Sequence, residues 1–168
     1  MGYAERVQYR RPSRVRRTVN RLVAWLAGAG LTPANTVRLE VPGRVSGRRR
    51  AFALTTASWR GEQYLVSLAG ESEWVRNLRA APTSAVIRHG RRRSVRVEEV
   101  PVDARGPVLR AYLAKRALTK SPAAAARDYF GVGRQPLSPD LQRIAGHYPV
   151  FRIVSEPEGD GAHPADGD

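Results

Sequence analysis

The segment GRVSGRRR, residues 43–50, is a basic turn bounded by glycines, and it joins two runs rich in β-branched and aromatic residues. Such runs predict β-strands, here over Thr36–Val41 and Arg50–Trp59. Gly43 and Gly47 tolerate a positive φ and allow a ligand to approach the backbone closely. The four arginines of the segment can pair with phosphate or carboxylate groups. The segment therefore predicts either a solvated hairpin or an anion-binding loop.

Further strands follow along the chain, separated by turn residues. The tight turn Arg60-Gly61-Glu62 leads into a predicted strand over Gln63–Leu68. The remaining predicted strands are Ser84–His89, Arg92–Val100 and Val150–Val154. Strands do not alternate with crossover helices, so a parallel dinucleotide-binding sheet is not expected. The pattern predicts a mainly β protein of the α+β class, a six-stranded antiparallel barrel with peripheral helices.

Helices are predicted on either side of these strands. Their ranges are Ser13–Ala27, Ser72–Ala80, Asp103–Leu118, Ser121–Phe130 and Ser138–Gly146. The first is amphipathic, because Arg14, Arg17 and Arg21 lie largely opposite its apolar face. This helix either packs on the domain with a solvated basic side or lies on an anionic membrane surface.

The composition is that of one basic globular domain. The 168 residues carry a formal net charge of +14, with 27 arginines and 2 lysines, which implies an anionic partner: nucleic acid, a membrane surface or a polyanionic small molecule. We predict a disordered basic arm over 1–12, a single domain over 13–154 and a disordered acidic tail over 155–168. No apolar run reaches about 18 residues and no secretory signal is recognised, so a cytoplasmic location is expected.

Several kinds of catalytic site are not expected. The chain has no cysteine, which excludes thiolate nucleophiles and Cys-based metal sites. His89, His147 and His163 are scattered without metal-ligand spacing, so no metal site is predicted. Glu98 and Glu99 are adjacent on a strand and face opposite sides, so they do not form an acid/base pair.

A second informative segment, LAGESEWVRNLRA at residues 68–80, marks the change from a strand to a helix. The strand end presents backbone amides, and the positive end of the helix points to the same region, which favours an anion. Trp74 lies in the first helical turn, where it either packs against a planar heterocycle or plugs the core. Arg76 and Asn77 offer further donors. The two segments together predict a clamp for a flat ring with a long anionic tail.

These two segments, together with GHYPVFRI at residues 146–153, resemble the deazaflavin-dependent nitroreductase family. The similarity covers roughly Val37 to Val154, in the order of the predicted strands. The resemblance implies a split β-barrel similar to that of flavin-binding pyridoxamine-phosphate oxidases. It also implies coenzyme F420 as the cofactor, with FMN less favoured. This coenzyme carries a phosphodiester and a chain of glutamates, and these negative charges match the arginine-rich turn. Because salt screens charges over a short distance, the arginines must contact the tail directly.

The resemblance also implies which residues bind the coenzyme. They lie in the basic turn, at the start of the second strand, at the end of the third strand and at the start of the next helix: Arg44, Val45, Ser46, Arg50, Ala51, Phe52, Ala53, Leu54, Thr55, Val66, Ser67, Leu68, Ala69, Gly70, Glu73, Trp74, Val75, Arg76 and Asn77. The family often has Lys where this chain has Val45, and Pro where it has Ala53. The loop before Trp74 is also shorter than in many members.

The activity implied by the resemblance is hydride transfer from the reduced coenzyme to an electron-poor acceptor, such as a quinone, a nitro compound or an enone. The coenzyme carries the chemistry, and the protein supplies orientation, a dry pocket and a proton source. The proton donor is then a hydroxyl group or a water, and Tyr129 is the candidate side chain, the alternative being that Tyr129 simply packs with Phe130. The partner is then a small-molecule acceptor, and the protein is expected to be a monomer or a homodimer, with peripheral contact at the inner face of the membrane if the first helix binds lipid.

Two other interpretations of the sequence stay open. The barrel could bind the coenzyme or another amphipath as a carrier without turnover. It could also contact nucleic acid through Arg91, Arg92, Arg93 and the N-terminal arm, as small barrels do. The arginine runs lack the interleaved aromatic residues that stack on bases, so no nucleic-acid partner is expected.

Overall fold

The computed structural model describes residues 35–117 and 138–155, together with Val23, Trp25, Leu26 and Ala29. The first three of these single residues are helical and belong to the predicted N-terminal helix. The basic arm, most of that helix, the predicted helix Ser121–Phe130 with Tyr129, and the acidic tail after Ser155 lie outside the described residues. Within the described ranges, no helix is long and apolar enough to cross a membrane.

Six strands close into a barrel in the order β1-β2-β3-β6-β5-β4. They are β1 Thr36–Pro42, β2 Arg49–Trp59, β3 Glu62–Val66, β4 Ala85–His89, β5 Arg91–Glu99 and β6 Val150–Ser155. Every neighbouring pair is antiparallel, including β1 with β4, and β6 lies between β3 and β5. The predicted six-stranded antiparallel barrel is confirmed.

The predicted strand boundaries differ from the observed ones by two residues at most. The largest difference is at the end of β3, which stops at Val66 although the sequence predicts a strand as far as Leu68. The chain turns there because the Ser67 hydroxyl donates to the Gly70 carbonyl at 2.7 Å. Gly70 has a positive φ of 61°, which glycine adopts without steric cost.

Helices lie at one end of the barrel and on its outer face. They are α1 Glu73–Ala80, α2 Arg105–Ala117 and α3 Ser138–Ile144, with short 3₁₀ turns at Val102–Ala104 and Ala145–His147. The helix predicted to begin at Asp103 thus starts as a 3₁₀ turn and becomes α-helical two residues later. The predicted helix Ser138–Gly146 likewise ends in a 3₁₀ turn, so three of the predicted helices are confirmed in the described ranges.

Apolar residues at alternate positions of the strands fill the barrel interior. Val37, Leu39 and Val41 of β1 are buried, whereas the residues between them are only partly buried, because successive side chains of a strand face opposite sides. The interior cluster comprises these three residues with Leu65, Trp74, Val75, Leu78, Ala85, Ile87, Val95, Val97, Phe151 and Ile153. Three of its members come from α1, so this helix packs into the barrel.

A second cluster lies between the outer face of the barrel and helices α2 and α3. It comprises Ala57, Tyr64, Val66, Val108, Leu109, Tyr112, Leu113, Leu141, Ile144, Ala145, Tyr148 and Val150. The strand register explains why neighbouring residues belong to different clusters. Val66 and Val150 are paired and face outward, whereas Phe151, the next residue along β6, faces the barrel interior. Each fully buried Val or Leu of the two clusters contributes roughly 1.5–3 kcal/mol of transfer free energy.

A buried arginine, Arg105, joins the helical layer to the barrel. It is 5% exposed, and its guanidinium donates to the carbonyls of Val100 at 2.8 Å and Ala145 at 3.2 Å and to the Glu99 carboxylate at 2.9 Å. Glu99 also accepts two hydrogen bonds of 2.7 Å from Arg79. The hydrogen bonding to Arg79 is the main reason that the pKa of Glu99 lies below its usual value. The sequence does not predict this site, because arginine is rarely fully buried.

The variant Arg105→Met removes the guanidinium hydrogen bonds to the carbonyls of Val100, Ala145 and Tyr148 and removes one partner of Glu99. We expect it to lower the free energy of unfolding by about 3 kcal/mol, as is typical when one partner of a buried ion pair is removed. Urea unfolding followed by circular dichroism measures this change. The control is Arg143→Met, which removes an exposed arginine that lies 3.5 Å from Asp140 and should cost less than about 0.5 kcal/mol. Equal losses in the two variants would contradict the role given to Arg105.

Candidate functional site

The basic turn between β1 and β2 closes on itself through main-chain hydrogen bonds. The Gly43 N–H donates to the Arg48 carbonyl at 2.9 Å, and the Gly47 N–H donates to the Gly43 carbonyl at 2.7 Å. Gly47 has a φ of 66°, which residues with a Cβ rarely adopt. A Cβ added at Gly43 would lie 3.2 Å from the Arg48 carbonyl oxygen and 3.3 Å from the Ser46 Oγ. The turn therefore needs Gly47 for its backbone conformation, and it needs Gly43 because a side chain at that position would be crowded.

Arg44 attaches the basic turn to α1. Its main-chain N–H donates to Asn77 Oδ1 at 3.2 Å, and its guanidinium donates to the same oxygen at 3.1 Å. The guanidinium also pairs with the Glu73 carboxylate at 2.8 Å. Asn77 is 3% exposed, so its amide oxygen is a fixed anchor for the turn. The two segments singled out in the sequence are thus in direct contact.

The loop between β3 and α1 places a buried pair of serines at the start of the helix. The hydroxyl oxygens of Ser67 and Ser72 lie 3.1 Å apart. Ser72 is the N-cap residue of α1, but its side chain makes no capping hydrogen bond. A serine at this position normally accepts a hydrogen bond from an N–H group of the first helical turn. Because Ser72 is engaged with Ser67, its side chain does not cover the positive end of α1, which favours an anion.

The first half of β2 presents small side chains on the outer face of the barrel. Ala51, Ala53 and Thr55 share this face, since the intervening Phe52 and Leu54 pack against the interior cluster. All three are partly exposed. This part of the sheet therefore presents small, partly exposed side chains beside the basic turn.

Exposed side chains surround the basic turn. Arg48, Arg49 and Arg50 are all exposed, and the Arg49 guanidinium reaches only the Ser84 carbonyl, at 3.5 Å. Val45 is 91% exposed. The predicted site residues Ser46, Ala69 and Arg76 are also exposed, Leu68 is partly buried and Gly70 is buried.

Some residues assigned to the coenzyme by resemblance are core residues in the structure. Trp74 is 6% exposed, and its ring centroid lies 5.8 Å from that of Phe151. Of the two predicted alternatives for Trp74, the structure shows the core plug. Val66 and Val75 are buried as well. These residues support the site from beneath, and a direct contact between them and a coenzyme stays a prediction.

The structure also brings together groups that the sequence did not single out. Ser72 and its contact with Ser67 were missed because a serine before a helix is normally interpreted as its cap. Glu73 was selected, but its pairing with Arg44 was not expected. Within the described ranges, no group of three His, Asp or Glu side chains is placed to hold a metal ion.

A sequence model of the family described as F420H(2)-dependent quinone reductase matches residues 11–129, more than half of the 168-residue chain. The chain belongs to this family. It is therefore an F420H2-dependent reductase, and its cofactor is coenzyme F420. The F420-dependent family recognised from the sequence is confirmed. The match spans the basic turn, α1 and all strands except β6.

Solved structures resemble this F420H2-dependent reductase at low identity. The protein Atu2129 of Agrobacterium tumefaciens, of unknown function, is 13% identical, with a TM-score of 0.52 over 81% of this chain and 55% of that chain. An F420-H2 dependent reductase, FDR-A, is 17% identical, with a TM-score of 0.47 over 71% of this chain and 94% of that chain. A FAD-binding protein from Mesorhizobium loti is 20% identical, with a TM-score of 0.42 over 80% of this chain and 90% of that chain. Such likeness concerns the fold alone. No curated protein sequence matches the chain.

The variant Asn77→Ala removes the oxygen that anchors Arg44. We expect faster hydrogen exchange of the Arg44 amide, and a free energy of unfolding lower by about 1–3 kcal/mol, because a buried hydrogen-bonding group is lost. Hydrogen exchange followed by NMR measures the first effect. Asn77→Asp keeps an acceptor oxygen and should retain a slowly exchanging Arg44 amide. If exchange is equally slow in Asn77→Ala, another contact must hold the turn.

Proposed function

We propose that this reductase transfers a hydride from reduced coenzyme F420 to an electron-poor small molecule, such as a quinone, a nitro compound or an enone. The observation that supports this proposal is the contact between the basic turn and α1 through Arg44 and Asn77. This contact fixes a cluster of exposed arginines beside the partly exposed outer face of β2. A positive loop next to a surface of small side chains fits a ring with an anionic tail.

The residues present fit this coenzyme on three grounds. Arg48, Arg49 and Arg50 are exposed, and guanidinium groups bind phosphate and carboxylate bidentately. Ser72 leaves the positive end of α1 without a side-chain cap, which adds a favourable dipole. The small side chains at Ala51 and Ala53 leave space for a planar ring. We propose that the arginines hold the tail and that the outer face of β2 supports the ring.

The reaction needs little acid/base machinery from the chain. When bound, the reduced coenzyme supplies the hydride. The chain must orient the two reactants and exclude water, and good orientation alone accounts for a large part of the rate in such reactions. A hydride brings two electrons and one proton to the acceptor. Each two-electron reduction of the acceptor is therefore completed by one further proton. We propose the Tyr129 hydroxyl as the group that donates this proton to the acceptor.

Three further expectations stay predictions. They are the oligomeric state, monomer or homodimer, the cytoplasmic location, and contact with a membrane through the N-terminal helix. The basic side of that helix lies before Val23, outside the described residues.

The first experiment is a fluorescence titration of oxidised coenzyme F420 with the purified protein, with FMN as the parallel ligand. We expect a dissociation constant of about 1 μM or lower for the deazaflavin, corresponding to roughly −8 kcal/mol, and little binding of FMN. Affinity should fall as salt is raised, because exposed arginines hold the tail. Turnover is then measured with quinone, nitro and enone acceptors. Binding without turnover on this panel would instead support a carrier.

The variant Val45→Lys restores the residue that the family often has at the tip of the turn. Val45 is exposed, so the change should leave stability unaltered and strengthen coenzyme binding about fivefold, corresponding to roughly 1 kcal/mol for an exposed charge pair. The matched control is Val102→Lys, since Val102 is also exposed and lies in the 3₁₀ turn before α2. An equal gain in both variants would show that only the total charge matters.

The variant Tyr129→Phe removes the proposed proton donor and keeps the ring. We expect turnover to fall about 100-fold, the lower end of the usual effect of general acid catalysis, with little change in coenzyme affinity. Stopped-flow oxidation of the reduced coenzyme measures the effect. Tyr112→Phe is the control, because Tyr112 is buried in the cluster between the barrel and α2. Unchanged turnover in Tyr129→Phe would remove Tyr129 from the mechanism.

A further inference from the structure

Three arginines form a row across adjacent strands on the outer face of the barrel. Arg38 of β1 is directly opposite Arg88 of β4, and Arg88 is directly opposite Arg92 of β5. Directly opposite residues lie on the same face of a sheet, and neighbouring strands are about 4.8 Å apart. Like charges in such positions repel each other and destabilise the pairing. A row of three therefore calls for compensating negative charge.

The described residues compensate only one member of this row. Arg38 pairs with Glu40 at 2.7 Å. Neither Arg88 nor Arg92 forms an ion pair with a described residue. The Nε of Arg88 is buried without any hydrogen-bond partner, and it is the only buried side-chain nitrogen or oxygen of the described residues in this condition. A buried charged donor without an acceptor is unfavourable, so this nitrogen points to a missing acceptor.

A cavity lies beside the row. It has a volume of about 110 Å³ and is lined by Trp25 and Ala29 of the N-terminal segment and by Arg38 and Arg88 of the sheet. One water needs only about 10–15 Å³ of such space, so the cavity has room for a group larger than water. The Ala29 N–H donates to the Trp25 carbonyl at 3.0 Å, and these two residues are the apolar part of the cavity lining.

The neighbouring residues that the structure describes on β1, β4 and β5 do not supply the missing charge. The next positions on this face toward the centre of the sheet are Glu40, which already pairs with Arg38, then Val86 and Ser94, which are directly opposite each other. On the other side of the row, Arg38 is directly opposite Ala53 of β2. The row therefore adjoins the face of β2 on which the coenzyme ring is proposed to lie.

We propose that Arg38, Arg88 and Arg92 form an oxyanion site that binds a phosphate or carboxylate group of a small molecule. It is distinct from the basic turn, whose arginines precede β2 or stand at its start. The row offers bidentate donors to such a group, and binding relieves the repulsion between neighbouring strands. The group could belong to a free anion or to the tail of the coenzyme, and the site does not depend on the coenzyme being bound.

The test uses the full-length protein, with inorganic phosphate and malonate as probes at constant ionic strength in chloride. Calorimetry and the shift in Tm measure binding. We expect Arg88→Met to weaken phosphate binding about tenfold, the effect of losing a charge-assisted hydrogen bond. In the absence of phosphate or malonate, Arg88→Met should be at least as stable as the wild type, because the variant lacks the repulsion and the unpaired donor. Loss of stability there would overturn the proposal, since Arg88 would then be a structural residue.

Two matched variants separate this site from general charge effects. Arg93→Met removes the same charge from β5, at an exposed position on the other face of the sheet, and should bind phosphate within about twofold of the wild type. Arg92→Met should weaken phosphate binding about as much as Arg88→Met does. Equal weakening by Arg92→Met and Arg93→Met, or no binding of either probe to the wild type, would overturn the proposal.

A further pair of measurements identifies the source of the anion and separates this proposal from the proposed function. Arg48→Met, in the basic turn, should weaken coenzyme binding and leave phosphate binding unchanged. If Arg88→Met weakens both phosphate and coenzyme binding, the site holds the tail of the coenzyme. If it weakens phosphate binding alone, the site holds a separate small anion. Phosphate binding that depends on Arg48 and not on Arg88 would overturn the proposal and leave the proposed coenzyme site intact.

Discussion

The structure depends on the insertion of β6 between β3 and β5. Its ladders with these two strands are what close the barrel, and without them two strand edges would be left with unpaired N–H and C=O groups. Phe151 faces the interior and Val150 the helical layer, so one short strand contributes to both hydrophobic clusters. The same segment holds the loop that precedes α1, since the Ser67 N–H donates to the Pro149 carbonyl at 2.9 Å. The segment that contains β6 therefore both closes the barrel and positions the candidate site.

The charges of the molecule are divided between two roles. Several of the described acidic residues form ion pairs that connect structural elements: Arg152 bridges Glu62 and Glu98 at 2.9 and 2.6 Å, and Glu99 joins Arg79 to Arg105. With 15 acidic residues against 29 basic ones, many arginines lack a carboxylate. Among the described residues, Arg48, Arg49 and Arg50 at the β1–β2 turn and Arg88 and Arg92 in the row are without an ion pair to a carboxylate, and we propose that they meet an external anion. A strongly basic composition thus becomes two defined positive surfaces.

Helix α1 links the core to the site, because one of its sides packs into the barrel interior and the other contacts the basic turn. Trp74, Val75 and Leu78 pack into the barrel interior, which fixes the position of the helix. Asn77 and Glu73 then hold Arg44, which fixes the position of the turn. An eight-residue helix has little stability of its own in water. The position of the turn therefore depends on the packing of Trp74 against Phe151, which makes Trp74 important for the site without exposing its ring.

The sequence alone determined the local structure and the family. Runs of β-branched and aromatic residues bounded by turn residues predicted the strands to within two residues, since strand propensity and turn conformation depend on residues close together in the chain. The paired motifs at residues 43–50 and 68–80 identified an F420-dependent reductase. Only the tertiary structure decided that Trp74 is a core residue, that Ser72 bonds Ser67 instead of capping α1, that Arg105 is buried, and that Arg38, Arg88 and Arg92 stand in one row. Each of these depends on partners far apart in sequence, and a polar or aromatic side chain carries no local signal of the partner that the fold brings to it.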